Sequence, residues 1–420
     1  MKLLIAIPAL NEEESIEGII EKSLAAGEYI RRHSPVREVE VTVVSDGSTD
    51  RTVELASKYR DRIKLIVFPQ NRGYGAAIKE AWQQSDAGLL GFLDADGTCD
   101  PNFFATLARA LEENKADIAL GCRLNKHSRM PLLRRVGNWL FAAMLSVLSS
   151  TRVRDSASGM RLVRRESLDR LFPLPNGLNF TPAMSARGML SDALQIVEVD
   201  MPYHERAGES KLRVLRDGLA FLRVIVETAF LYHPSRPLGL LAALFLLSAS
   251  ALMAMPVFYY LENRLVEWWM IYRFLVSHLL GTAACLCVCA SYLTERIADM
   301  TLAEEVGGRR RKWHQRFFRG RWFWLAPAGL ALLGGLLVLA SFLELLATGA
   351  TYEHWSRFIV MSFCFSTAIV LAVTRGIDYI LTLVEDRLNY LRLKPVPRGE
   401  AERGFHAGGE VQEPAGVKRA

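Results

Sequence analysis

Three runs of acidic and amide side chains are the residues in this chain best suited to bind a phosphorylated ligand. Each run directly follows an apolar segment, and together they contain Asn11, Glu12, Asp46, Asp94 and Asp96. Taken singly, each has a structural explanation, since Asn11 could cap a helix and Asp46 could belong to a turn. Crowded carboxylates, however, repel one another unless a cation or a hydrogen-bonding ligand compensates. A hard divalent cation, Mg²⁺ or Mn²⁺, prefers such oxygens and bridges them to a diphosphate, which favours a metal at Asp94 and Asp96.

The apolar segments before these runs have the lengths and compositions of β-strands. The predicted strands are Lys2–Pro8, Val39–Ser45, Ile63–Phe68 and Leu89–Leu93, and the predicted helices extend from Glu12 to Arg32, from about Asp50, and over Ala76–Gln84. Strands alternating with helices predict an α/β fold with a mostly parallel sheet covered on both faces. In such sheets ligands bind beyond the carboxyl ends of the strands, which is where the three acidic runs fall.

The second half of the chain is much more apolar than the first. Of the 420 residues, 50% are hydrophobic and 23% are charged, and most long apolar runs lie beyond Pro237. Four segments, roughly 238–260, 268–293, 322–347 and 357–383, are at or above the ~20 residues needed to cross a bilayer. Arg375 and Asp378 in the fourth segment either mark a polar site inside the bundle or lie near its cytosolic end.

The distribution of basic residues predicts the orientation. Residues 294–320 contain seven Lys or Arg, whereas the loops near 261–267 and 348–356 contain one between them, Arg264. Under the positive-inside rule the basic loop, both termini and the first half of the chain face the cytosol. We therefore predict a multi-pass membrane protein with an α/β domain over 1–210, an interfacial helix or linker over 211–235, an all-α transmembrane domain over 236–385 and a basic, disordered tail over 386–420.

Charge and cysteine content argue against two other classes of protein. The net charge is +6, and basic residues cluster near the apolar segments, which favours anionic lipid headgroups over nucleic acid as a partner. The six cysteines form no disulfide pattern, so a reduced compartment is expected for the first half. The short apolar run after Met1 is interpreted as a strand rather than as a signal peptide.

The motifs PALNEE, SDGSTD and LDADGTCDP, at these spacings, resemble the inverting glycosyltransferases of family 2, which have the GT-A fold. Three later motifs are similar to the dolichyl- and polyprenyl-phosphate sugar synthases of the dolichol phosphate mannose synthase type: Gly121-Cys122-Arg123, the run from Asp155 to Arg161, and the run from Arg206 to Lys211. The resemblance covers about residues 3–235. It implies metal-dependent, inverting transfer of a hexose from GDP-mannose or a UDP-sugar to a polyprenyl or dolichyl phosphate at the cytosolic membrane face.

The resemblance also implies roles by position. The nucleotide pocket would be lined by Pro8, Ala9, Asn11, Glu12 and Asp46. Asp94 and Asp96 would bind the metal and the donor diphosphate. Many relatives carry a Gln two residues after the second Asp of this motif, where the present chain has Thr98, so the third protein ligand to the metal stays open.

The basic residues are assigned to the phosphates. By the same resemblance Arg123 faces them, and Arg206 and Lys211 close over the site from a loop, so the predicted catalytic residues are Asp96, Arg123, Arg206 and Lys211. The candidates for holding the acceptor phosphate are Arg123, Arg134, Arg135 and Asn138. A surface charge is the alternative for each of these arginines and for Lys211, and Arg134 and Arg135 could anchor lipid headgroups instead.

The acceptor class follows from what the chain lacks in its sequence. We find no convincing counterpart of the carboxylate base or the Gln-x-x-Arg-Trp motif typical of family members that act on hydroxyl groups. A phosphate acceptor explains this, because its second pKa of about 6 leaves it largely anionic at neutral pH. Nucleophile and leaving group are then both negative, and arginines are suited to neutralise them.

Two amphipathic segments, Leu132–Leu148 and Lys211–Tyr232, are predicted to lie in the membrane interface, with a core-facing helix as the alternative for the first. The expected partners are thus a nucleotide sugar, a polyprenyl or dolichyl phosphate and the membrane, with a homo-oligomer left open. Two other functions stay open: a family 2 transferase with a glycolipid or polysaccharide hydroxyl as acceptor, and a catalytically idle membrane scaffold.

Overall fold

The computed structural model describes residues 1–124, 132–149, 152–191, 193–203, 214–301, 313–350 and 354–393. One seven-stranded sheet organises the first half of the chain. Its strands are β1 (Lys2–Ala9), β2 (Glu38–Asp46), β3 (Lys64–Phe68), β4 (Leu89–Phe92), β5 (Ile118–Cys122), β6 (Arg161–Arg164) and β7 (Ile196–Asp200). The helices of this half are α1 (Ile16–His33), α2 (Thr52–Ser57), α3 (Tyr74–Gln83), α4 (Phe104–Glu113), α5 (Leu132–Leu148), α6 (Leu168–Leu171), α7 (Phe180–Leu190) and α8 (Val214–Tyr232).

The direction of each strand decides which loops meet. The order across the sheet is β3-β2-β1-β4-β6-β5-β7. All neighbouring pairs are parallel except those of β6, which is antiparallel to both β4 and β5. The prediction of a mostly parallel α/β sheet is therefore confirmed. Because β6 is reversed, its amino end lies with the carboxyl ends of the other strands, at what we call the carboxyl edge.

Alternation of apolar residues along β1 builds a layer on each face of the sheet. Leu3, Ile5 and Ile7 pack with α1 and α4 on one face, whereas Leu4 and Ala6 pack with α3 and α7 on the other. All five side chains are fully buried. A fully buried Leu or Ile contributes roughly 1.5–3 kcal/mol through apolar transfer. The sheet is thus a stiff platform for the loops at its carboxyl edge.

The predicted boundaries of the first four strands are correct to within two residues, but the first helix starts later than expected. Helix α1 begins at Ile16 rather than Glu12. The residues before it form a turn, in which the carbonyl oxygen of Glu12 accepts hydrogen bonds from the backbone of Ser15 and Ile16. Asn11 has a left-handed φ of 50°, which ends the strand direction and keeps the helix from starting there.

The second half contains four helices long and apolar enough to cross a membrane, at Ser235–Asn263, Trp268–Thr301, Leu325–Thr348 and Trp355–Tyr390. They correspond to α9 (Ser235–Asn263), α10 (Ile271–Thr301), α12 (Leu325–Thr348) and α13 (Trp355–Leu393), with the short helix α11 (Trp313–Arg319) before α12. Each overlaps one of the four predicted spans. Helix α13 continues to Leu393, so the chain is still helical at residue 386, where the tail was expected to begin.

Asp378 lies inside this bundle and is fully buried. It accepts a hydrogen bond from Tyr292 on α10 at 2.7 Å, and Arg296 on the same helix lies 3.4 Å away. Arg319 of α11 approaches at 3.8 Å, and Arg375 donates a short hydrogen bond from the preceding turn of α13. The two residues singled out from the sequence thus belong to a cluster of charges shared by three helices.

Helices α5 and α8 each have two apolar faces. The inward face of α5 includes Leu145 and packs against Leu120, Met189 and Ile225 in one buried cluster, and the rings of Phe141 and Phe221 join α5 to α8. The outward faces expose large apolar side chains: Val136, Trp139, Leu140 and Val147 on α5, and Leu219, Leu222, Val226, Phe230 and Leu231 on α8. The two alternatives for Leu132–Leu148 are therefore compatible, because one face packs on the core and the other is left exposed.

Candidate active site

The first two acidic runs are joined to each other by hydrogen bonds across the carboxyl edge. Asn11 accepts from the backbone N–H of Thr49 at 2.8 Å and donates its own backbone N–H to Ser48 at 3.1 Å. The backbone N–H of Glu12 donates to the hydroxyl of Thr52 at 2.8 Å. Parallel pairing of β1 with β2 brings these loops together, with Pro8 and Ala9 as the last residues of β1 beside Val44 and Ser45. The five predicted nucleotide-pocket residues are thus neighbours.

Asp46 holds the loop that follows β3. Its two carboxylate oxygens accept from the backbone N–H groups of Arg72 and Gly73, at 2.6 and 2.9 Å. Gly47, with a φ of 74°, lets the backbone of residues 70 and 71 approach so closely that a methyl group there would overlap it. Asp46 is 3% exposed. Its contribution to a nucleotide pocket is therefore first to shape the wall of that pocket.

The orientation of the Asp94 carboxylate depends on two contacts that the neighbouring sequence does not predict. The hydroxyl of Tyr74, at the start of α3, donates to its carboxylate at 2.6 Å. On another side lies Gly159, and a methyl group at that position would overlap the carboxylate of Asp94. Gly159 precedes β6 and reaches Asp94 because β6 is antiparallel to β4. The orientation of Asp94 is thus determined by segments far from it along the chain.

Asp96 is oriented by Thr98, which stands where many proteins of the resembled family carry a Gln. Thr98 donates both its backbone N–H, at 3.1 Å, and its hydroxyl, at 2.7 Å, to one oxygen of Asp96. Thr98 is 1% exposed and Asp96 is 6% exposed. Within the described ranges, no group of three or more His, Cys, Asp or Glu side chains is arranged to hold a metal ion. Asp94 and Asp96 nevertheless supply the carboxylate oxygens that a hard divalent cation prefers.

Arg123 follows β5 and is held by a buried carboxylate. Its Nε and Nη2 atoms donate to the two oxygens of Asp155 at 2.7 and 2.8 Å, and its backbone N–H donates to the same carboxylate at 2.9 Å. The guanidinium carbon lies 5.6 Å from the ring centroid of Tyr203. The Arg123 side chain is 12% exposed, whereas that of Asp155 is fully buried. The guanidinium is therefore fixed in direction by a side chain that is mostly, but not completely, buried.

The charges of the third acidic run and of Arg123 act on one hydroxyl group. Burial raises the pKa of Tyr203, the Arg123 guanidinium lowers it, and the Asp96 and Asp94 carboxylates raise it. Burial would likewise raise the pKa of Asp155, but the charge and hydrogen bonds of Arg123 outweigh it and leave this pKa below its ordinary value. Asp94, Asp96 and Arg123 thus all lie within electrostatic range of Tyr203.

The residues predicted to hold the acceptor phosphate or to close over it include one that is buried, one that is exposed and three that the structure does not fully describe. Asn138 is 7% exposed, donates to Asp155 at 2.6 Å and accepts from the hydroxyl of Ser156 at 3.0 Å. Arg135 is exposed on the first turns of α5. The side chain of Arg134, and the whole of Arg206 and Lys211, lie outside the described residues, so their predicted roles stay predictions.

Sequence reasoning named the motif from Asp155 to Arg161 but gave none of its residues a role, and it missed Tyr74 and Tyr203. The signal that could have found Asp155 and Gly159 was present, since an acidic residue and a glycine lie in a motif shared with the lipid-phosphate synthases. Tyr74 and Tyr203 had no such signal, because they come from a helix start and a loop beyond β7 that only the folded sheet brings to this edge.

Comparison with known proteins supplies the family. The sequence profile of Glycosyl transferase family 2 matches residues 4–172. A dolichyl-phosphate hexose transferase of Haloferax volcanii is 31% identical over 229 residues, which cover 54% of this chain and 92% of that protein. The chain belongs to glycosyl transferase family 2. Its seven-stranded sheet is the GT-A fold of this family, followed by a helical region with four candidate membrane spans.

Other relatives of this family 2 member match similar shares of the chain. The low-salt glycan biosynthesis hexosyltransferase Agl6 of Haloferax volcanii is 32% identical over 239 residues, 56% of this chain, and the match spans 55% of the length of Agl6. A dodecaprenyl-phosphate galacturonate synthase of Rhizobium johnstonii is 25% identical over 262 residues, 59% of this chain and 75% of that protein. A solved structure of glucosyl-3-phosphoglycerate synthase from Mycobacterium tuberculosis, 22% identical, covers 54% of this chain and 78% of its own with a TM-score of 0.39.

Proposed function

We propose that this family 2 member transfers a sugar from a nucleotide diphosphate sugar to a polyprenyl or dolichyl phosphate, with inversion at the anomeric carbon. The observation that carries the proposal is that two carboxylates after β4, Asp94 and Asp96, and an arginine that Asp155 holds in place all lie within electrostatic range of one side chain, Tyr203. Relatives named for dolichyl- and dodecaprenyl-phosphate acceptors support the lipid-phosphate class. The base, the sugar and the length of the lipid are left to a substrate screen.

On the donor side, the loops after β1 and β2 line a nucleotide pocket whose wall is shaped by Asp46. Asp94 and Asp96 would hold Mg²⁺ or Mn²⁺, which neutralises charge on the departing diphosphate. Two carboxylates would be a sufficient protein donor set, because Mg²⁺ at phosphate sites is usually bound through one or two protein carboxylates. Thr98 would act through Asp96, since its hydroxyl is bonded to that carboxylate.

On the acceptor side, one phosphate oxygen attacks the anomeric carbon from the face opposite the diphosphate. The new oxygen–carbon bond forms as the bond to the diphosphate breaks, and the nucleoside diphosphate leaves with the electron pair. Arg123 would face the incoming phosphate, with Arg206 and Lys211 closing over it and Arg134 and Arg135 contributing positive charge from α5. No protein base is required, because the acceptor is already anionic at neutral pH.

The acceptor is delivered from the membrane. We propose that the outward apolar faces of α5 and α8 rest in the headgroup region of the cytosolic leaflet, with Arg135 at the level of the lipid phosphates. The four candidate spans anchor the chain beside them. This arrangement would put the carboxyl edge of the sheet within reach of a lipid phosphate while its hydrocarbon chain stays in the bilayer.

The proposal is tested by incubating the purified protein in nanodiscs with radiolabelled GDP- and UDP-sugars, a divalent metal and either undecaprenyl or dolichyl phosphate. Label in a lipid product that mild acid releases supports the proposal. Label only in acid-stable glycosides would show a hydroxyl acceptor instead. No transfer from a full panel of donors, by protein that is folded and binds nucleotide, would favour a scaffold.

Asp96→Ala is expected to lower the rate of transfer by at least about a thousandfold, because a buried electrostatic partner of the diphosphate is lost. Chelation of divalent ions should reduce the wild-type rate to the same level. Asp61→Ala, which removes an exposed carboxylate from the surface beyond α2, is the matched control and should leave the rate unchanged. Transfer by Asp96→Ala at the wild-type rate would remove the metal role.

A further inference from the structure

The carboxylate of Asp155 accepts five hydrogen bonds from other groups of the protein. Three come from Arg123, one from the amide of Asn138 at 2.6 Å and one from the backbone N–H of Ala157 at 3.3 Å. Both oxygens are engaged and the residue is fully buried. A carboxylate enclosed in this way has no oxygen to offer a substrate proton, but it fixes the groups that donate to it.

The donors to Asp155 come from separate elements of the fold. Arg123 follows β5, whereas Asn138 lies on α5, and Asp155 itself precedes β6. Asp155 is fastened in turn, because its backbone N–H donates to Glu198 of β7 at 2.8 Å. Neighbouring Ser156 donates its hydroxyl to Asn138 and accepts from Ser185 of α7. The orientation of one guanidinium group is therefore determined by four elements around it.

We propose that Asp155 and Asn138 are positioning residues, which hold the Arg123 guanidinium in the direction that meets the acceptor phosphate; this inference rests on the proposed function. Arginine loses side-chain entropy whenever it is ordered, and here that loss is incurred during folding rather than in the transition state. The Tyr203 ring limits the guanidinium from a second side. A donor fixed in advance stabilises developing charge without reorganising.

Asn138 adds a link to the membrane-facing surface. It is the neighbour of Trp139, which is 63% exposed on the outward face of α5. Asn138 is buried and Trp139 is exposed, as adjacent positions about 100° apart around one helix allow. The helix that we propose to rest on the bilayer thus also carries Asn138, which donates to Asp155.

The substitution Asp155→Asn keeps the shape of the side chain but removes its charge. A requirement for the charge of Arg123 alone and a requirement for its orientation predict different changes in the transfer rate of this variant. If Arg123 needed only its positive charge, removal of the neighbouring negative charge would leave the rate equal or raise it. Since we assign orientation to Asp155, we expect kcat to fall by roughly 10–100-fold, the range found for outer-shell partners of catalytic groups. KM for the nucleotide sugar should change by less than about twofold, because we assign the effect of Asp155 to Arg123 and the acceptor phosphate rather than to the donor.

Asn138→Ala is the second variant, and it leaves the Arg123–Asp155 pair intact. We expect a smaller fall in kcat with an unchanged KM for the lipid phosphate. A rise in that KM with kcat unchanged would instead show that Asn138 grips the phosphate directly, and it would overturn the positioning role of Asn138. Nucleotide binding by each variant, measured by calorimetry, confirms that it is folded.

Chemical rescue by guanidinium ion distinguishes a positioning role of Asp155 from a purely structural role, because a purely structural role would not affect the extent of rescue. Guanidinium ion added to Arg123→Gly should restore part of the transfer rate, because Asp155 is present to bind and orient it. The same ion should not restore Arg123→Gly combined with Asp155→Asn. Equal rescue of both, or an unchanged kcat in folded Asp155→Asn, overturns the inference, and both outcomes require an active wild-type enzyme. Absence of transfer by the wild type would instead remove the proposed function.

Discussion

At the scale of single residues, the acidic side chains after the strands of this sheet have two different roles. Asp46 and Asp155 use both of their carboxylate oxygens to hold the protein's own groups, the backbone of residues 72 and 73 in one case and Arg123 in the other. Asp94 and Asp96 are each oriented by a hydroxyl group, and both lie within electrostatic range of Tyr203, as Arg123 does. An acidic residue at a strand end therefore cannot be assigned to ligand binding by its position alone.

Gly159→Ala is predicted to inactivate the protein without unfolding it. The added methyl group would overlap the Asp94 carboxylate and displace it from the position in which we propose that it holds a cation. A misplacement of about 1 Å in a catalytic site costs on the order of 100-fold in rate. Overpacking should lower the free energy of unfolding by about 1–3 kcal/mol. Transfer rate and thermal unfolding, measured side by side, check both numbers.

The matched control for this variant is Gly18→Ala. Gly18 is exposed on α1 and has open space where the methyl group would lie. Because alanine favours the helix over glycine by about 1 kcal/mol, this variant should be at least as stable as the wild type and equally active. Wild-type transfer by Gly159→Ala would mean that Asp94 has room to move without loss of function.

At the scale of elements, α5 connects two environments. Its inward face packs on the core and contributes Asn138 to the site, and its outward face exposes four large apolar residues. Arg236, at the start of α9, donates a hydrogen bond to the carbonyl oxygen of Leu148, the last residue of α5. The helix is thus attached at one end to the first candidate membrane span and near the other end to the candidate active site.

Trp139→Glu should affect long lipid acceptors more than short ones. The substitution removes a large apolar group from the outward face and adds a charge that the headgroup region disfavours, which costs about 1.5–3 kcal/mol of interfacial contact. We expect kcat/KM for undecaprenyl phosphate to fall about tenfold or more. With a short, water-soluble isoprenyl phosphate the fall should be less than about twofold, since no docking on the bilayer is needed.

Tyr29→Glu serves as the control, because Tyr29 is an exposed aromatic residue on α1, away from α5 and α8. It should change neither activity. If Trp139→Glu lowered transfer to both acceptors equally, the effect would lie in the site itself and not in membrane contact. If it lowered neither, the outward face of α5 would have no part in delivering the lipid.

At the scale of the whole molecule, the two halves of the chain are stabilised by two different kinds of interior. The sheet domain is closed by apolar packing on both faces of β1. The helical half contains, in addition, a buried set of charges in which Arg296, Arg319 and Arg375 surround Asp378, and Arg296 also donates to Glu385 at 2.6 Å. These contacts join α10, α11 and α13, so the bundle depends on the compensation of charge as well as on apolar contact.

Asp378→Asn is predicted to destabilise the bundle by about 3–5 kcal/mol, because removal of the buried carboxylate leaves three arginines with only the charge of Glu385, among the described residues, to compensate them. The midpoint of thermal unfolding in detergent should fall, and the transfer rate per folded molecule should stay near that of the wild type. Asp386→Asn, an exposed position eight residues along the same helix, should unfold like the wild type. Equal midpoints for the two variants would show that the charge cluster contributes no stability.

The sequence by itself determined those features that depend on neighbours along the chain. Alternating apolar and helical patterns predicted β1 to β4 and the order of their loops, and length with hydropathy predicted four candidate spans. Acidic residues after parallel strands were expected to meet, because the ends of such strands share an edge. Strands β5 to β7 were not predicted, since they are short and lack a distinct period.

Only the tertiary structure decided how the site is completed. Insertion of β6 in reverse between β4 and β5 brings Gly159 against Asp94 and Asp155 against Arg123. Nothing in the local sequence of Arg161–Arg164 states which strands it will join. Strand pairing is settled by the burial of whole faces and the satisfaction of backbone hydrogen bonds across the sheet, and these are properties of the assembled chain.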